Sequence, residues 1–202
     1  MDIVFTPEQR RQIAESLAAR YAAVAEGRPG MFRYPTGLAG LQAQHYPAQV
    51  LEALPDSVQR AFCGVGNPFS LGPVNPGDSV LDIGCGAGVD ALVAAVYAGP
   101  SGWVAGVEPS PGMLARARAN LAAAGLANVE FSLGNAEDLP YPDCRFHLAI
   151  SNGVFNLVVD KARALAEAFR VLVPGGRLQV ADQVLAGPPA RDAEAAARAW
   201  SG

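Results

Sequence analysis

The stretch Val80-Leu-Asp-Ile-Gly-Cys-Gly-Ala-Gly88 decides the fold that we expect for this 202-residue chain. An apolar strand that carries Asp82 runs into a loop with glycine at 84, 86 and 88, and an apolar helical run follows at 91–98. Glycine lets the backbone approach a ligand because no Cβ stands in the way, and a helix start directs unpaired N–H groups at it. The spacing GxGxG differs from the GxGxxG of dinucleotide-binding proteins. The stretch therefore predicts a ligand-binding turn between a strand and a helix.

Glu108 lies at the end of a second apolar strand and follows Gly88 by 20 positions. At about this distance a doubly wound fold presents an acid to the ribose hydroxyls of a nucleoside. A carboxylate accepts hydrogen bonds from the 2′ and 3′ hydroxyls and repels a 2′-phosphate. No Arg or Lys occurs between Asp82 and Arg116 to pair with a pyrophosphate. A nucleoside without phosphates is therefore favoured over NAD or NADP.

The chain resembles the class I S-adenosylmethionine-dependent methyltransferases in five motifs that occur in the family's order over about half of the sequence. They are the glycine loop at 81–88, VEPSPGML at 107–114, GNAEDLP at 134–140, SNG at 151–153 and RVLVPGG at 170–176. The resemblance implies S-adenosyl-L-methionine as the cofactor. It also implies a sheet of order 3-2-1-4-5 with the ligand crevice at the carboxyl ends of strands 1 and 4.

Strand and helix patterns alternate after residue 79, which predicts an α/β, doubly wound (Rossmann-like), mostly parallel sheet. We expect strands at 79–83, 103–108, 129–133, 148–151 and 177–182, and helices near 89–98, 111–124 and 160–172. The sequence predicts one structural domain with two parts. Residues 1–78 form an N-terminal helix and a lid-like segment, and residues 79–202 form the cofactor-binding core.

The first helix is predicted from Thr6 as N-cap, Pro7 at the first helical position and Gln9 closing a capping box, with Gly27 as its end. Short helices are expected near 46–54 and 57–63. An alanine-rich helix is expected at 190–200. The further helix and strand hairpin that close the family's sheet find no match before Gly202, so the chain either lacks them or is a fragment. In both cases the fifth strand is an exposed edge, at which a homodimer is expected to pair.

The resemblance also implies which residues hold the cofactor. Asp82 is expected to face the amino group of the methionine part, and Glu108 is expected to bind the ribose. Asn135 stands where the family often has Asp at the adenine amino group, and the next backbone N–H, of Ala136, bonds a ring nitrogen. The complete predicted set is Asp82, Gly84, Cys85, Gly86, Gly88, Glu108, Pro109, Met113, Asn135, Ala136, Ser151 and Asn152. Met113 has a core position as an open alternative.

A closer resemblance covers about residues 30–190 and is to the arsenite methyltransferase-like branch. It depends on GVGNP at 64–68, SNGVFNL at 151–157 and the segment 168–176. That branch holds trivalent arsenic on thiolates, and its motifs carry cysteine at the positions of Val65 and Gly153. Neither matched thiol is present here, and Cys63 alone makes a poor arsenic site. The branch is therefore expected without the arsenic thiols.

Composition excludes several classes of protein. A net charge of −4 and a sequence pI near 5.1 disfavour a nucleic-acid partner. The apolar run at 91–98 is too short to cross a membrane, and the N-terminus lacks a signal-peptide core. The three cysteines have neither CxxC spacing nor an even count, which predicts a cytoplasmic location and no structural metal.

Methyl transfer to a small-molecule acceptor is the leading functional hypothesis. The sequence offers no convincing catalytic base, since His147 is expected to be structural and His45 stays open between a structural and a functional role. The alternative is a catalytically silent cofactor-binding module that needs a partner or a further C-terminal segment. An NAD-dependent reductase is disfavoured by the GxGxG spacing and by the absence of a Tyr-x-x-x-Lys pair.

Overall fold

The computed structural model describes residues 5–28 and 30–184, and these form seven helices, one short 3₁₀ turn and five strands. The strands are β1 Ser79–Ile83, β2 Trp103–Glu108, β3 Val129–Leu133, β4 Phe146–Asn152 and β5 Leu172–Ala181. The helices are α1 Pro7–Ala25, α2 Gly37–Ala43, α3 Ala48–Glu52, α4 Asp56–Gln59, α5 Val89–Ala98, α6 Pro111–Ala124 and α7 Lys161–Val171, and the 3₁₀ turn is Pro68–Leu71.

The strands form one sheet of order β3-β2-β1-β4-β5, in which every neighbouring pair is parallel. This confirms the doubly wound fold. β1 lies at the centre and is buried at every position, because parallel strands are covered by helices on both faces. The strand order reverses between β1 and β4, so a crevice opens at the carboxyl ends of these two strands.

The core helices and the first three strands occupy the ranges that the sequence predicts, whereas β4 and β5 are longer. β5 begins at Leu172, immediately after α7, and so includes Pro174, Gly175 and Gly176, which precede the predicted strand start at residue 177. There the pairing of β4 with β5 shifts register, between Phe146 and Leu148. The glycines therefore lie within β5, at a break in the regular pairing of β4 with β5. Helix α2 was not predicted, and the predicted helix at 190–200 lies outside the described residues.

Helix α1 begins as the sequence predicts. The Thr6 hydroxyl accepts from the Gln9 N–H at 3.2 Å, and the Thr6 N–H donates to the Gln9 side chain at 2.9 Å. The Arg116 guanidinium on α6 donates to the carbonyl of Ala25 at 3.0 Å and so fastens the C-terminal end of α1. The middle of α1 lies across the crevice, with Ile13 1% exposed.

Gly88 precedes α5 and packs against the sheet. Its φ is +81°, and an ideal Cβ there would lie 2.6 Å from Cζ of Phe131 and 3.1 Å from Cβ of Ala117. A side chain would therefore add overpacking to left-handed strain.

We expect Gly88→Ala to lower the free energy of unfolding by about 3 kcal/mol, as measured by urea denaturation. Gly125→Ala is the matched control, because φ is +65° there and an ideal Cβ would have no atom within 4 Å. It should lose only the strain contribution, about 1 kcal/mol. Equal losses in the two variants would contradict the packing role of Gly88.

Within the part of the chain that the structure describes, no helix has the length and apolarity needed to cross a membrane.

Candidate functional site

A cavity of about 570 Å³ opens at the carboxyl ends of the central strands. Its floor is the glycine loop after β1 and the end of β2, and one wall is α1. Volumes of about 300–1,000 Å³ are typical of sites for small molecules. Of the predicted cofactor residues, nine line the cavity: Asp82, Gly84, Cys85, Gly86, Glu108, Pro109, Asn135, Ala136 and Asn152.

Glu108 ends β2 with its carboxylate at the cavity wall, 5% exposed. One oxygen accepts from the Gly86 N–H at 3.0 Å and the other from the Ser110 N–H at 2.9 Å. Burial raises the pKa of this carboxyl, although the two backbone N–H groups act in the opposite direction. Each carboxylate oxygen has further lone pairs. The side chain therefore ties the glycine loop to β2 and retains capacity to accept from a ligand.

Asp82 is 2% exposed, and its Oδ2 has no hydrogen-bond partner. Burial raises the pKa of this carboxyl, the charge of Asp90 raises it further, and the Ala91 N–H lowers it. Buried polar atoms in folded proteins nearly always have a partner. Because Asp82 lines the cavity, the unpartnered oxygen indicates a place for a hydrogen-bond donor of a ligand.

Asn135 and Ala136 follow β3 and line the far side of the cavity. The Asn135 side-chain oxygen accepts from the Glu137 N–H at 2.8 Å, which holds the turn. Glu137 in turn accepts from the Asp160 N–H at 3.0 Å, so this acid supports the start of α7. The local bond shapes the loop and uses one of the two acceptor positions of the Asn135 oxygen.

Asn152 lines the cavity, but its side-chain amide is hydrogen-bonded to other residues of the protein. Its oxygen accepts from the N–H groups of Val65 and Gly66, at 2.8 and 3.1 Å. Its nitrogen donates to the Gly66 carbonyl at 2.8 Å and to the Asp90 carboxylate at 2.9 Å. This amide places residue 65 beside Gly153, where an ideal Cβ would lie 3.9 Å from Cβ of Val65.

Three predicted cofactor residues lie outside the cavity lining. Gly88 faces the sheet, as described above. Met113 is buried in the first turn of α6, and its Cε lies 3.3 Å from an ideal Cβ on Gly86. Ser151 is fully buried, and its hydroxyl donates to the Ile83 carbonyl at 3.1 Å. Met113 and Ser151 thus support the loop and the β1–β4 pair from behind.

Sequence reasoning missed Asp90 and Tyr46. Asp90 lines the cavity from the first turn of α5 and is 8% exposed. The Tyr46 hydroxyl donates to it at 2.6 Å, and burial followed by the charge of Asp90 raises the pKa of Tyr46. A signal was present, because Asp90 is the one acid in an otherwise apolar helix. Its partner Tyr46 lies 44 positions earlier, so no local sequence pattern could predict the contact.

The cavity continues from the glycine loop towards α1 and the segment before β1. Its wall there is mainly apolar and aromatic, and the residues are Ile13, Leu17, Tyr21, Tyr34, Phe62, Cys63, Val154, Leu157 and Val158. The Tyr34 hydroxyl donates to the Cys63 carbonyl at 3.0 Å. Burial raises the pKa of the Cys63 thiol to about 12, so at neutral pH this group is a thiol and not a thiolate.

No histidine lines the cavity in the described part of the chain. His147 instead accepts from the Ser79 N–H at 3.0 Å through Nδ1, which gives it the structural role that the sequence predicts. Among the described residues no group of three or more His, Cys, Asp or Glu side chains could hold a metal ion.

A parallel doubly wound sheet, a glycine-lined crevice and an acid at the end of β2 define the class of Rossmann-like proteins that bind a nucleoside. The family model described as methyltransferase domain matches residues 74–200. The chain belongs to this methyltransferase family.

Named relatives agree with this membership. An arsenite methyltransferase of Halobacterium salinarum is 35% identical over 196 residues, which cover 90% of this chain and 49% of the relative. A demethylmenaquinone methyltransferase of Symbiobacterium thermophilum is 42% identical over 103 residues, which cover 50% of this chain and 41% of the relative. The chain thus spans half or less of the length of these relatives.

A crystal structure of an arsenic(III) S-adenosylmethionine methyltransferase from Chlamydomonas reinhardtii is similar to this fold. The TM-score is 0.56 at 37% identity, over 74% of this chain and 50% of that chain.

Proposed function

We propose that the chain binds S-adenosyl-L-methionine and transfers its methyl group to a small-molecule acceptor. The observation that carries the proposal is the pair of buried carboxyls at the glycine loop. Glu108 and Asp82 both line the crevice, and the buried Oδ2 of Asp82 has no hydrogen-bond partner. A nucleoside that also bears an ammonium group has a donor for each of them.

The residues present fit this cofactor. Asp82 would accept from the ammonium of the methionine part, and Glu108 would accept from the two ribose hydroxyls. Asn135 and the backbone N–H of Ala136 would contact the adenine. The glycine loop would lie against the part of the cofactor between its adenine and its ammonium group. The cofactor, when bound, supplies an electrophilic methyl group on a sulfonium.

The chain's own residues would orient the reactants and exclude water. Ile13 and Leu17 of α1 and Val154 after β4 line the cavity and keep it apolar on the acceptor side. Alignment of two bound reactants and exclusion of water contribute most of the acceleration in such a displacement. Positioning, rather than proton transfer, is therefore the main work of this site.

The lining favours an acceptor that is soft and nucleophilic without help from a base. The cavity has no histidine among its described residues, and Cys63 is protonated at neutral pH. Of its buried carboxyls, Asp82 and Glu108 are assigned to the cofactor, and Asp90 is bonded to Tyr46 and Asn152. A hydroxyl or amine acceptor would need a base, whereas a thiolate or an enolate-like acceptor would not. The arsenite and demethylmenaquinone methyltransferases named above make the corresponding acceptors reasonable first candidates.

Isothermal titration calorimetry with S-adenosylmethionine and S-adenosylhomocysteine tests cofactor binding. We expect saturable binding in the micromolar range, and absence of binding by both ligands would overturn the proposal. Mass spectrometry for S-adenosylhomocysteine, after incubation with thiol, arsenite and quinol acceptors, tests transfer. Cofactor binding without any demethylated product would favour the silent-module alternative.

The three cysteines are free thiols in the structure. The cytoplasmic location and a homodimer through the β5 edge stay predictions.

A further inference from the structure

We propose that Asp90, together with Asp82, makes the cavity select the cationic sulfonium cofactor over its neutral thioether product; this inference rests on the proposed function. The selecting feature is a buried negative charge that the protein leaves without a cationic partner. Asp90 would then be a specificity-determining residue that favours loading with the methyl donor and release of the spent product.

Asp90 is held as an anion by neutral hydrogen-bond donors. One carboxylate oxygen accepts from the Tyr46 hydroxyl at 2.6 Å and the other from the Asn152 amide at 2.9 Å. Its position in the first turn of α5 adds the partial positive charge of the helix start. These contacts stabilise the charge but do not neutralise it.

The described lining of the cavity contains more acidic than basic side chains. Three carboxyls of the described lining are nearly buried, and the one basic side chain on that lining, Arg10, is exposed. The ionisable groups that face Asp90 are Asp82, the Tyr46 hydroxyl and the Cys63 thiol. None of these carries a positive charge. Burial raises the pKa of Asp90, and the hydrogen bonds from Tyr46 and Asn152 lower it.

Asp82 supplies the second, independent observation. This residue lines the same cavity and its buried Oδ2 has no partner, so the ammonium of the cofactor would supply the donor that this oxygen lacks. Both cofactor and product carry this ammonium and a carboxylate, which balance each other. The sulfonium gives the cofactor one positive charge more than the product, and the two differ otherwise by the transferred methyl group. A buried carboxylate beside the cavity therefore acts on this difference in charge, in an environment where charges are weakly screened.

Calorimetry at pH 8 with three ligands tests the inference. The ligands are S-adenosylmethionine, S-adenosylhomocysteine and the amine analogue in which an ammonium-bearing carbon replaces the methylated sulfur. We expect the two cationic ligands to bind on the order of tenfold more tightly than the thioether. Asp90→Asn should reduce this preference to about twofold or less. Equal affinity of the wild type for the three ligands would overturn the inference and leave the proposed function standing.

Glu52→Gln is the charge-matched control, because Glu52 is an exposed acid at the end of α3. It should keep the full preference. If Asp90 served only to hold Tyr46 and Asn152 in place, Asp90→Asn would weaken all three ligands equally, and that result would contradict the inference. Failure of all three ligands to bind the wild type would instead overturn the proposed function.

Tyr46→Phe tests the same idea without changing the acid, should Asp90→Asn fold poorly. Loss of the phenol removes a hydrogen bond that lowers the pKa of Asp90, so this pKa should rise. The cation preference depends on ionised Asp90 and is lost as the pH falls through that pKa. We expect the loss at a higher pH in Tyr46→Phe than in the wild type. An unchanged pH profile of the affinity ratio would count against Asp90.

Discussion

Glu108→Ala is expected to weaken the binding of S-adenosylmethionine by about 100-fold, the loss that two charge-assisted hydrogen bonds represent. The wild-type carboxylate faces the cavity and accepts the Gly86 and Ser110 N–H groups. The variant would lose the acceptor for the ribose and would also release the glycine loop from β2. Calorimetry at fixed pH measures the change, and urea denaturation separates it from a loss of folded protein.

Two further variants sharpen this experiment. Glu108→Gln keeps the shape and one acceptor oxygen, so it should lose about tenfold, between the wild type and alanine. Glu130→Gln removes an exposed acid from the neighbouring strand β3 and should bind as the wild type does. Near-normal binding by Glu108→Ala would show that Glu108 does not bind the cofactor. The assignment of a nucleoside cofactor would then lose its main support.

The double variant Val65→Cys/Gly153→Cys is expected to gain a site for trivalent arsenic. The Asn152 amide holds residue 65 beside Gly153, and the ideal Cβ on Gly153 lies 3.9 Å from Cβ of Val65. Two thiols on carbons at that separation are close enough to join through one atom, since disulfides span Cβ pairs about 3.5–4.5 Å apart. Chelation should make phenylarsine oxide bind about 100-fold more tightly than to either single variant.

Titration under reducing conditions, followed by mass spectrometry, measures a stoichiometry of one arsenical per chain. The single variants Val65→Cys and Gly153→Cys are the matched controls, and both keep Cys63. Gly153 has φ +75°, so its replacement should also cost about 1 kcal/mol of stability, which denaturation would reveal. If the double variant binds the arsenical no more tightly than the single variants, residues 65 and 153 are not as close as the structure places them.

Much of the core follows from local signals. The fully buried strand β1, the caps at Thr6, Ser110 and Asp160, and the glycine after α6 each act within a few residues. Such signals predicted the core helices, the first three strands and the parallel pairing, whereas the strand order was an expectation from the family resemblance. The 20-residue spacing from the glycine loop to Glu108 was enough to expect an acid at the crevice, because it spans one strand–helix–strand unit.

Roles that depend on contacts between distant segments could not be predicted from the sequence. Gly88 has the expected position in the loop, but it faces Phe131 and not the cavity. Asn152 lines the cavity, but only the structure shows that its side-chain amide bonds residues 65 and 66. A motif specifies which residue ends a strand, whereas the direction and partners of its side chain depend on whichever segment packs there.

The sequence by itself determined the sheet, the glycine turn and the acid that follows β2, because periodicity, capping and spacing are properties of neighbouring residues. Only the tertiary structure decided that α1 covers the crevice, that Tyr46 meets Asp90, and that residue 65 lies beside Gly153. These contacts join segments separated by tens of residues. Their stability comes from burial and hydrogen bonds in the assembled core, which no local pattern records.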